Sequence, residues 1–198
     1  MPLRCPLILA SASPRRQQLL EQLGLDFEII PASGETPPQP GEHAETYVQR
    51  AAEEKAAEVF RRNAGQRACV LGADTVVVLD ETIFGKPKDD ADALGMLTRL
   101  AGRWHHVLTG VRAIGPELNQ SIGIVVTTRV LLREADLMTL ERYVRSGEGR
   151  DKAGSYAIQG LGAGLVQAID GSYGNVVGLP TVETLQLLRD AHVLATWP

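Results

Sequence analysis

The 198-residue chain predicts an α/β protein with a mixed β-sheet. Three observations lead there. Short apolar runs rich in β-branched residues alternate, irregularly, with amphipathic stretches at helical spacing. Serine, proline and glycine stand where helices should start and stop. No internal repeat at solenoid periods, low-complexity tract or charged tail interrupts the pattern.

Taken in order, Pro6 to Ala10 fits a short buried strand. Ser13 can cap a helix with Pro14 in its first turn and Gly24 past its end, and Leu19, Leu20 and Leu23 form its apolar face. Phe27 to Ile30 reads as a second strand, followed by the long Pro- and Gly-rich loop PASGETPPQPGEH. A helix from Ala44 to Arg62 carries the stripe Tyr47, Val48, Ala51, Ala52, Ala56, Val59 and Phe60, with Lys55 inside it. Ala68 to Leu79 is strongly β-forming, and Asp80 and Glu81 turn it back into Thr82 to Phe84. A helix over Asp90 to Ala101, a hairpin from His106 to Ile114 and Ser121 to Leu132, and a helix over Asp136 to Arg145 follow. Leu165 to Ile169 fits a strand, and Pro180 to Ala191 a terminal amphipathic helix.

Composition narrows the function. Hydrophobic content of 44% and charged content of 22% are ordinary for a globular protein. The net charge of −4 argues against a general nucleic-acid binder but leaves room for a small anion held by a local basic cluster. No run is long enough to cross a membrane, and the first apolar stretch is too short for a signal peptide. Cys5 and Cys69 form no metal-ligand pattern with histidine and read as reduced thiols, so a cytoplasmic protein is expected.

Five features carry possible chemistry. SASPRR, residues 11–16, joins an apolar strand to a helix. A helix start presents backbone N–H groups and a positive dipole end, and Ser11, Ser13, Arg15 and Arg16 add hydroxyl and guanidinium donors suited to phosphate. The alternative is a plain cap with two solvated arginines. Asp74 interrupts the run VLGADTVVVL. A buried carboxylate needs a cation and then suits a base or metal ligand, whereas an Asp at an edge or a bulge beside Gly72 needs neither. Lys55 either packs its stem while the amine reaches solvent or presents that amine to an anion. Lys86, in the turn FGKPKDD, and Glu35, in the long loop, are exposed groups that are either solvated or aimed at a ligand. The histidines are weak signals: His105 and His106 are adjacent and point to opposite faces of a strand. Gly160, Gly162 and Gly164 fit a loop near a ligand but lack the dinucleotide spacing.

ASASPRR, ETPPQPGEHAETYVQRAAEEKA, LGADTVV, GKPKD, GRWHHVLTGV, DKAGSYAIQG and GSYGNVVGLP occur in the order and spacing of the Maf nucleotide pyrophosphatases, which the chain resembles from Leu7 to about Leu188. The resemblance implies one domain over residues 1–198, with two lobes sharing a core. It implies an elongated fold with a strongly twisted mixed sheet, a cleft between the lobes and an architecture related to the inosine triphosphate pyrophosphatases. It implies hydrolysis of a nucleoside triphosphate between its α and β phosphates, a divalent cation such as Mg²⁺ or Mn²⁺, and a homodimer. The family is also associated with arrest of cell division and septum formation, so a nucleotide-binding regulator without turnover is the alternative of another class.

Arginine at Arg15, threonine at Thr75 and glutamine at Gln159 mark the branch that prefers dTTP and UTP, rather than the branch that prefers 7-methyl-GTP. The loop that commonly reads Asp-Glu-Thr is Gly34-Glu35-Thr36 here, so one carboxylate remains. With these residues read together, Asp74, Glu35, Lys55 and Lys86 are expected to be the catalytic residues, Ser11, Arg15, Arg16, Thr75 and Gln159 to contact the substrate, and Glu35 and Asp74 to hold the metal.

Overall fold

The computed structural model describes residues 3–34, 36–115, 118 and 121–198. It is a mixed α/β fold. The strands are β1 (Leu7–Leu9), β2 (Glu28–Ile29), β3 (Cys69–Leu79), β4 (Thr82–Phe84), β5 (Trp104–Ile114), β6 (Ile122–Leu132) and β7 (Val166–Asp170). The helices are α1 (Pro14–Gln22), α2 (Ala44–Arg62), α3 (Asp90–Leu100), α4 (Leu137–Arg145), α5 (Tyr173–Val177) and α6 (Thr181–Asp190), with 3₁₀ turns at Ala153–Ser155 and Gly160–Gly164. The sheet order is β2-β1-β3-β5-β6-β7, with β4 added on β3.

The chain divides into two compact units. Unit 1 comprises Met1–Asp74, Thr109–Val126 and Gly178–Pro198; unit 2 comprises Thr75–Leu108 and Thr127–Val177. In unit 1, β1 lies between β2 and β3 and runs parallel to both, with Leu9 opposite Ile29 on one side and Leu71 on the other. Ile8, Ala10, Ala56, Val59, Ala68 and Val70 form its packed centre.

Helix α2 sits very close to the sheet of unit 1, and two glycines explain why. A Cβ on Gly72 would lie 2.2 Å from the carbonyl oxygen of Ala52, and one on Gly110 would lie 2.3 Å from that of Val48. Small residues on α2 meet bare backbone on β3 and β5, so the helix settles at a distance no larger pair allows. We expect Gly72→Ala to force α2 outward and destabilise the protein by about 1–3 kcal/mol. A thermal melt matching the parent would show that the helix does not depend on that contact.

In unit 2, β4 folds back on β3 with Leu79 opposite Thr82. Asp80 and Glu81 both adopt positive φ, 48° and 63°, as the two-residue turn between those strands requires. β7 pairs antiparallel with β6. The core joins Val77, Phe84, Leu97, Val107, Val130 and Leu140 with Tyr143 and Tyr156.

His105 is buried in this unit while His106 is exposed, the alternation expected of a strand. Its Nε2 lies 2.7 Å from the Tyr156 hydroxyl, and the two rings meet edge to face. Burial, partly opposed by a backbone hydrogen bond at Arg103 and aided by the His106 charge, pushes His105 down from 6.5 to about 4. The neutral form therefore persists in the fold where the unfolded chain already binds a proton. Stability should be complete above pH 6.5 and fall as pH drops from 6.5 towards about 4. The slope is about 1.4 kcal/mol per pH unit at most. Urea unfolding across that window should show the slope, and His105→Gln should reduce it, the remainder belonging to carboxylates whose values the fold lowers.

Most sequence-derived boundaries agree with these elements to within one or two residues; Ala44 to Arg62 and Thr82 to Phe84 coincide with α2 and β4. One local expectation fails. Ser13 occupies the N-cap of α1, but its hydroxyl makes no capping bond. Its backbone N–H instead donates to Ser11 Oγ at 3.2 Å. Helix α5 and the two 3₁₀ turns lie in the glycine-rich region and have no clear periodicity to announce them. Among the described residues, no helix is long and apolar enough to cross a membrane.

Candidate active site

In unit 1 the strands β2, β1 and β3 run in one direction, so the segments after β1 and β2 leave the sheet at the same end. In open α/β sheets, ligands gather at the carboxyl ends of parallel strands. SASPRR follows β1 there, and the long Pro/Gly loop follows β2. The Ala10 N–H still bonds the Leu71 carbonyl at 2.9 Å, so SASPRR departs alongside β3 just before Asp74.

Asp74 faces α2. It shares a strand face with Gly72, two residues earlier, and the close approach at Gly72 carries Lys55 to it. Lys55 Nζ donates to Asp74 Oδ1 at 2.6 Å, with Lys55 8% and Asp74 7% exposed. Asp74 is therefore a buried carboxylate with its cation beside it, and the Lys55 amine does not run out to solvent.

Ser11 and Arg16 form a second buried group. Arg16 donates through Nε to the Gly178 carbonyl at 2.8 Å and through a terminal nitrogen to Ser11 Oγ at 3.2 Å. Arg16 is thus turned into the fold, while Arg15 is only half-buried. The two adjacent arginines have separated into different environments, and the picture of two solvated arginines fails for Arg16.

A cleft of about 190 Å³ in unit 1 is lined by Gly34, Thr36, Ala51, Glu54, Lys55 and Glu58. Glu58 accepts both the backbone N–H and the hydroxyl of Ser33, at 3.0 Å and 2.6 Å. Those bonds, with the Arg62 charge, hold the Glu58 carboxyl below its ordinary range. Burial would raise Glu54, but the Thr36 hydroxyl and Arg50 outweigh it and lower that carboxyl. The loop is therefore fastened to α2 on both sides of Glu35, which itself lies outside the described residues. Glu54 and Glu58 were not singled out from sequence. Their signal was present as a charge ladder, Arg50, Glu54, Glu58 and Arg62, at successive spacings of four along one helix.

Thr75 follows Asp74 on β3 and is half-buried. Lys86 is exposed in the turn after β4, where the Gly85 carbonyl accepts the Gly154 N–H at 3.1 Å. Gln159 is exposed, with extended backbone, immediately before the 3₁₀ turn Gly160–Gly164. These three belong to unit 2, whereas Ser11, Arg15, Arg16, Lys55 and Asp74 belong to unit 1.

Among the described residues, no group of three or more His, Cys, Asp or Glu side chains is placed to hold a metal ion. The donor chemistry still suits a hard cation. Mg²⁺ takes one or two carboxylates and completes its shell with phosphate oxygens and water, and Asp74 offers one buried carboxylate.

The fold and site thus define an α/β protein that gathers arginine, lysine and hydroxyl donors and one buried carboxylate at the carboxyl ends of parallel strands. Residues 6–191 match the family model described as Maf-like protein, and the chain belongs to that family. Curated relatives agree along nearly the whole length. The chain is 48% identical over 188 residues to a dTTP/UTP pyrophosphatase of Alcanivorax borkumensis, covering 94% of this chain and 96% of that one. It is 48% identical over 191 residues to one of Myxococcus xanthus, covering 96% and 95%. It is 50% identical over 183 residues to one of Photobacterium profundum, covering 90% and 92%.

Proposed function

We propose that the protein is a nucleoside triphosphate pyrophosphatase that hydrolyses dTTP and UTP to the monophosphate and pyrophosphate. The observation that carries this reading is the buried Lys55–Asp74 pair at 2.6 Å, set beside SASPRR at the end of the parallel strands. A carboxylate placed there at such a desolvation cost is suited to accepting a proton from a water molecule.

In this mechanism Arg15 and the amines of Lys55 and Lys86 bind the triphosphate. Ser11 Oγ accepts from both the Ser13 N–H and Arg16, which leaves its O–H to donate to a phosphate oxygen. Arg16 acts on the substrate through the Ser11 hydroxyl it holds. Asp74 orients the attacking water and takes its proton as the water oxygen joins phosphorus and the bond between the α and β phosphates breaks. The cationic side chains stabilise the charge that builds on the departing pyrophosphate. A divalent cation held by Asp74 and Glu35 would neutralise phosphate charge when bound. We place the reaction in the cytoplasm, with the whole chain acting as one domain and assembling as a homodimer.

Thr75 and Gln159 are proposed to select the base. A glutamine amide offers a donor and an acceptor side by side, which matches the N3–H and carbonyl edge of uracil or thymine. Gln159→Glu should lower the preference for dTTP and UTP over purine nucleotides by about tenfold or more. Equal preference in the variant would remove Gln159 from base selection. The test of the activity itself is pyrophosphate release from a panel of nucleotides, canonical and modified, with Mg²⁺ or Mn²⁺ supplied. Release from dTTP and UTP above the others is expected. Release from none would leave a binding protein, and preference for 7-methyl-GTP would move the chain to the other branch.

A further inference from the structure

The segment that presents Gln159 is held in place by one carboxylate. Glu148 follows α4, past Gly147, whose φ of 75° ends the helix. Its Oε1 accepts the Leu161 N–H at 2.8 Å, and its Oε2 accepts the Gly162 N–H at 2.7 Å. Oε2 also accepts the Tyr143 hydroxyl at 2.9 Å, and the same Tyr143 oxygen accepts the Ala157 N–H at 3.0 Å. Backbone groups on both sides of Gln159 therefore converge on a Glu148–Tyr143 pair. Burial would raise the Glu148 carboxyl. The N–H groups of Gly162 and Leu161, the Tyr143 hydroxyl and the Lys152 charge outweigh it and hold it below its ordinary range.

The fit leaves no room for side chains. A Cβ on Gly160 would lie 2.1 Å from Glu148 Oε1, and one on Gly162 would lie 2.2 Å from the Ala157 carbonyl oxygen and 2.9 Å from Tyr143 Oη. Gly160 also adopts a φ of 65°, which favours glycine. Gly160 and Gly162 thus have a steric reason: they let the chain wrap a carboxylate. Gln159 stands outside the clamp. It is exposed, and its side chain caps none of the N–H groups of the turn it precedes.

We propose that Glu148, relayed by Tyr143, is a positioning residue for base selection: it fixes the backbone on both sides of Gln159 so that the amide meets the pyrimidine edge in one geometry. The inference rests on the proposed role of Gln159 and adds a residue that touches no substrate. Hydrogen-bond selection demands such fixing, because an amide displaced by a fraction of an ångström no longer separates right from wrong partners. Glu148→Gln places an NH₂ donor where a backbone N–H or the Tyr143 hydroxyl now donates, so at least one of these bonds is lost. Tyr143→Phe keeps the buried ring and removes the relay alone.

The experiment measures kcat and KM for dTTP and GTP in the full-length protein, after thermal melts confirm folding. Glu148→Gln should lower the dTTP/GTP ratio of kcat/KM by about tenfold, and Tyr143→Phe by about threefold. The loss should appear mainly as a higher KM for dTTP, with GTP little changed. In a Gln159→Ala background, Glu148→Gln should lower the ratio no further. A ratio that responds to Gln159 but to neither Glu148 nor Tyr143 overturns the clamp and leaves the Gln159 reading standing. An equal fall for both nucleotides, or additive effects with Gln159→Ala, overturns it as well, since either marks a merely structural role. A ratio unmoved by Gln159→Ala sinks the base-reading role, and the clamp with it. Tyr143→Phe decides the matter should Glu148→Gln fail to fold.

Discussion

Asp74→Asn should lower dTTP and UTP turnover by about 10²–10⁴-fold while leaving nucleotide binding measurable. The substitution is nearly isosteric. Its amide oxygen can still accept from Lys55 Nζ, which now lies 2.6 Å from Asp74 Oδ1, so the packing against α2 has no reason to change. What disappears is the ability to take a proton from water. The two readouts separate the roles: steady-state pyrophosphate release reports the chemistry, and equilibrium binding of a non-hydrolysable nucleotide analogue reports the cradle. Retention of wild-type turnover would remove Asp74 as the base. Loss of binding together with turnover would make it a ligand-holding group instead. The position favours the base. A carboxylate in the strand between β1 and β5, 7% exposed, is costly to bury, and a lysine drawn from another element offsets that cost.

How far the sequence foretells this depends on the range of the interactions involved. Helix α2 is readable almost to the residue because its stripe repeats at 3.6 over 19 residues. Strand β1 is only three residues long and is legible mainly through the proline and serine that bound it. Lys55 and Asp74 each stand out as misplaced polar groups. Their pairing does not, because it joins positions 19 apart and depends on how closely α2 can approach Gly72. Ser13 shows the opposite limit. Its local pattern predicts a side-chain cap, yet its hydroxyl makes none, while its backbone N–H donates to the buried Ser11 hydroxyl that Arg16 holds. The glycines around Gln159 are visible in the sequence as a loop, but Glu148, which lies 11 positions before Gln159, gives that loop its shape. Carboxylates that accept backbone N–H groups have no composition signature of their own.

Lys55→Met should destabilise the fold by about 3–5 kcal/mol, because it leaves the Asp74 carboxylate buried without its cation. Urea unfolding near neutral pH measures this directly. Methionine preserves the length and packing of the lysine stem, so the loss belongs to the charge and not to a cavity. The double variant Lys55→Met/Asp74→Leu should then be at least as stable as the parent, since well-packed apolar replacements of buried ion pairs are often neutral or stabilising. Neither variant should turn over dTTP. Stability restored with activity still absent would mean that the pair is retained for chemistry at a cost in stability. If the double variant were as unstable as the sum of its parts, the two groups would be uncoupled and the 2.6 Å contact would not be the organising interaction of the site. The pair's partners also predict where the cost falls. Lys55 lies on the helix whose approach to the sheet is set by Gly72 and Gly110 and lines the same cleft as Gly34 and Thr36, so the uncompensated charge falls beside that cleft.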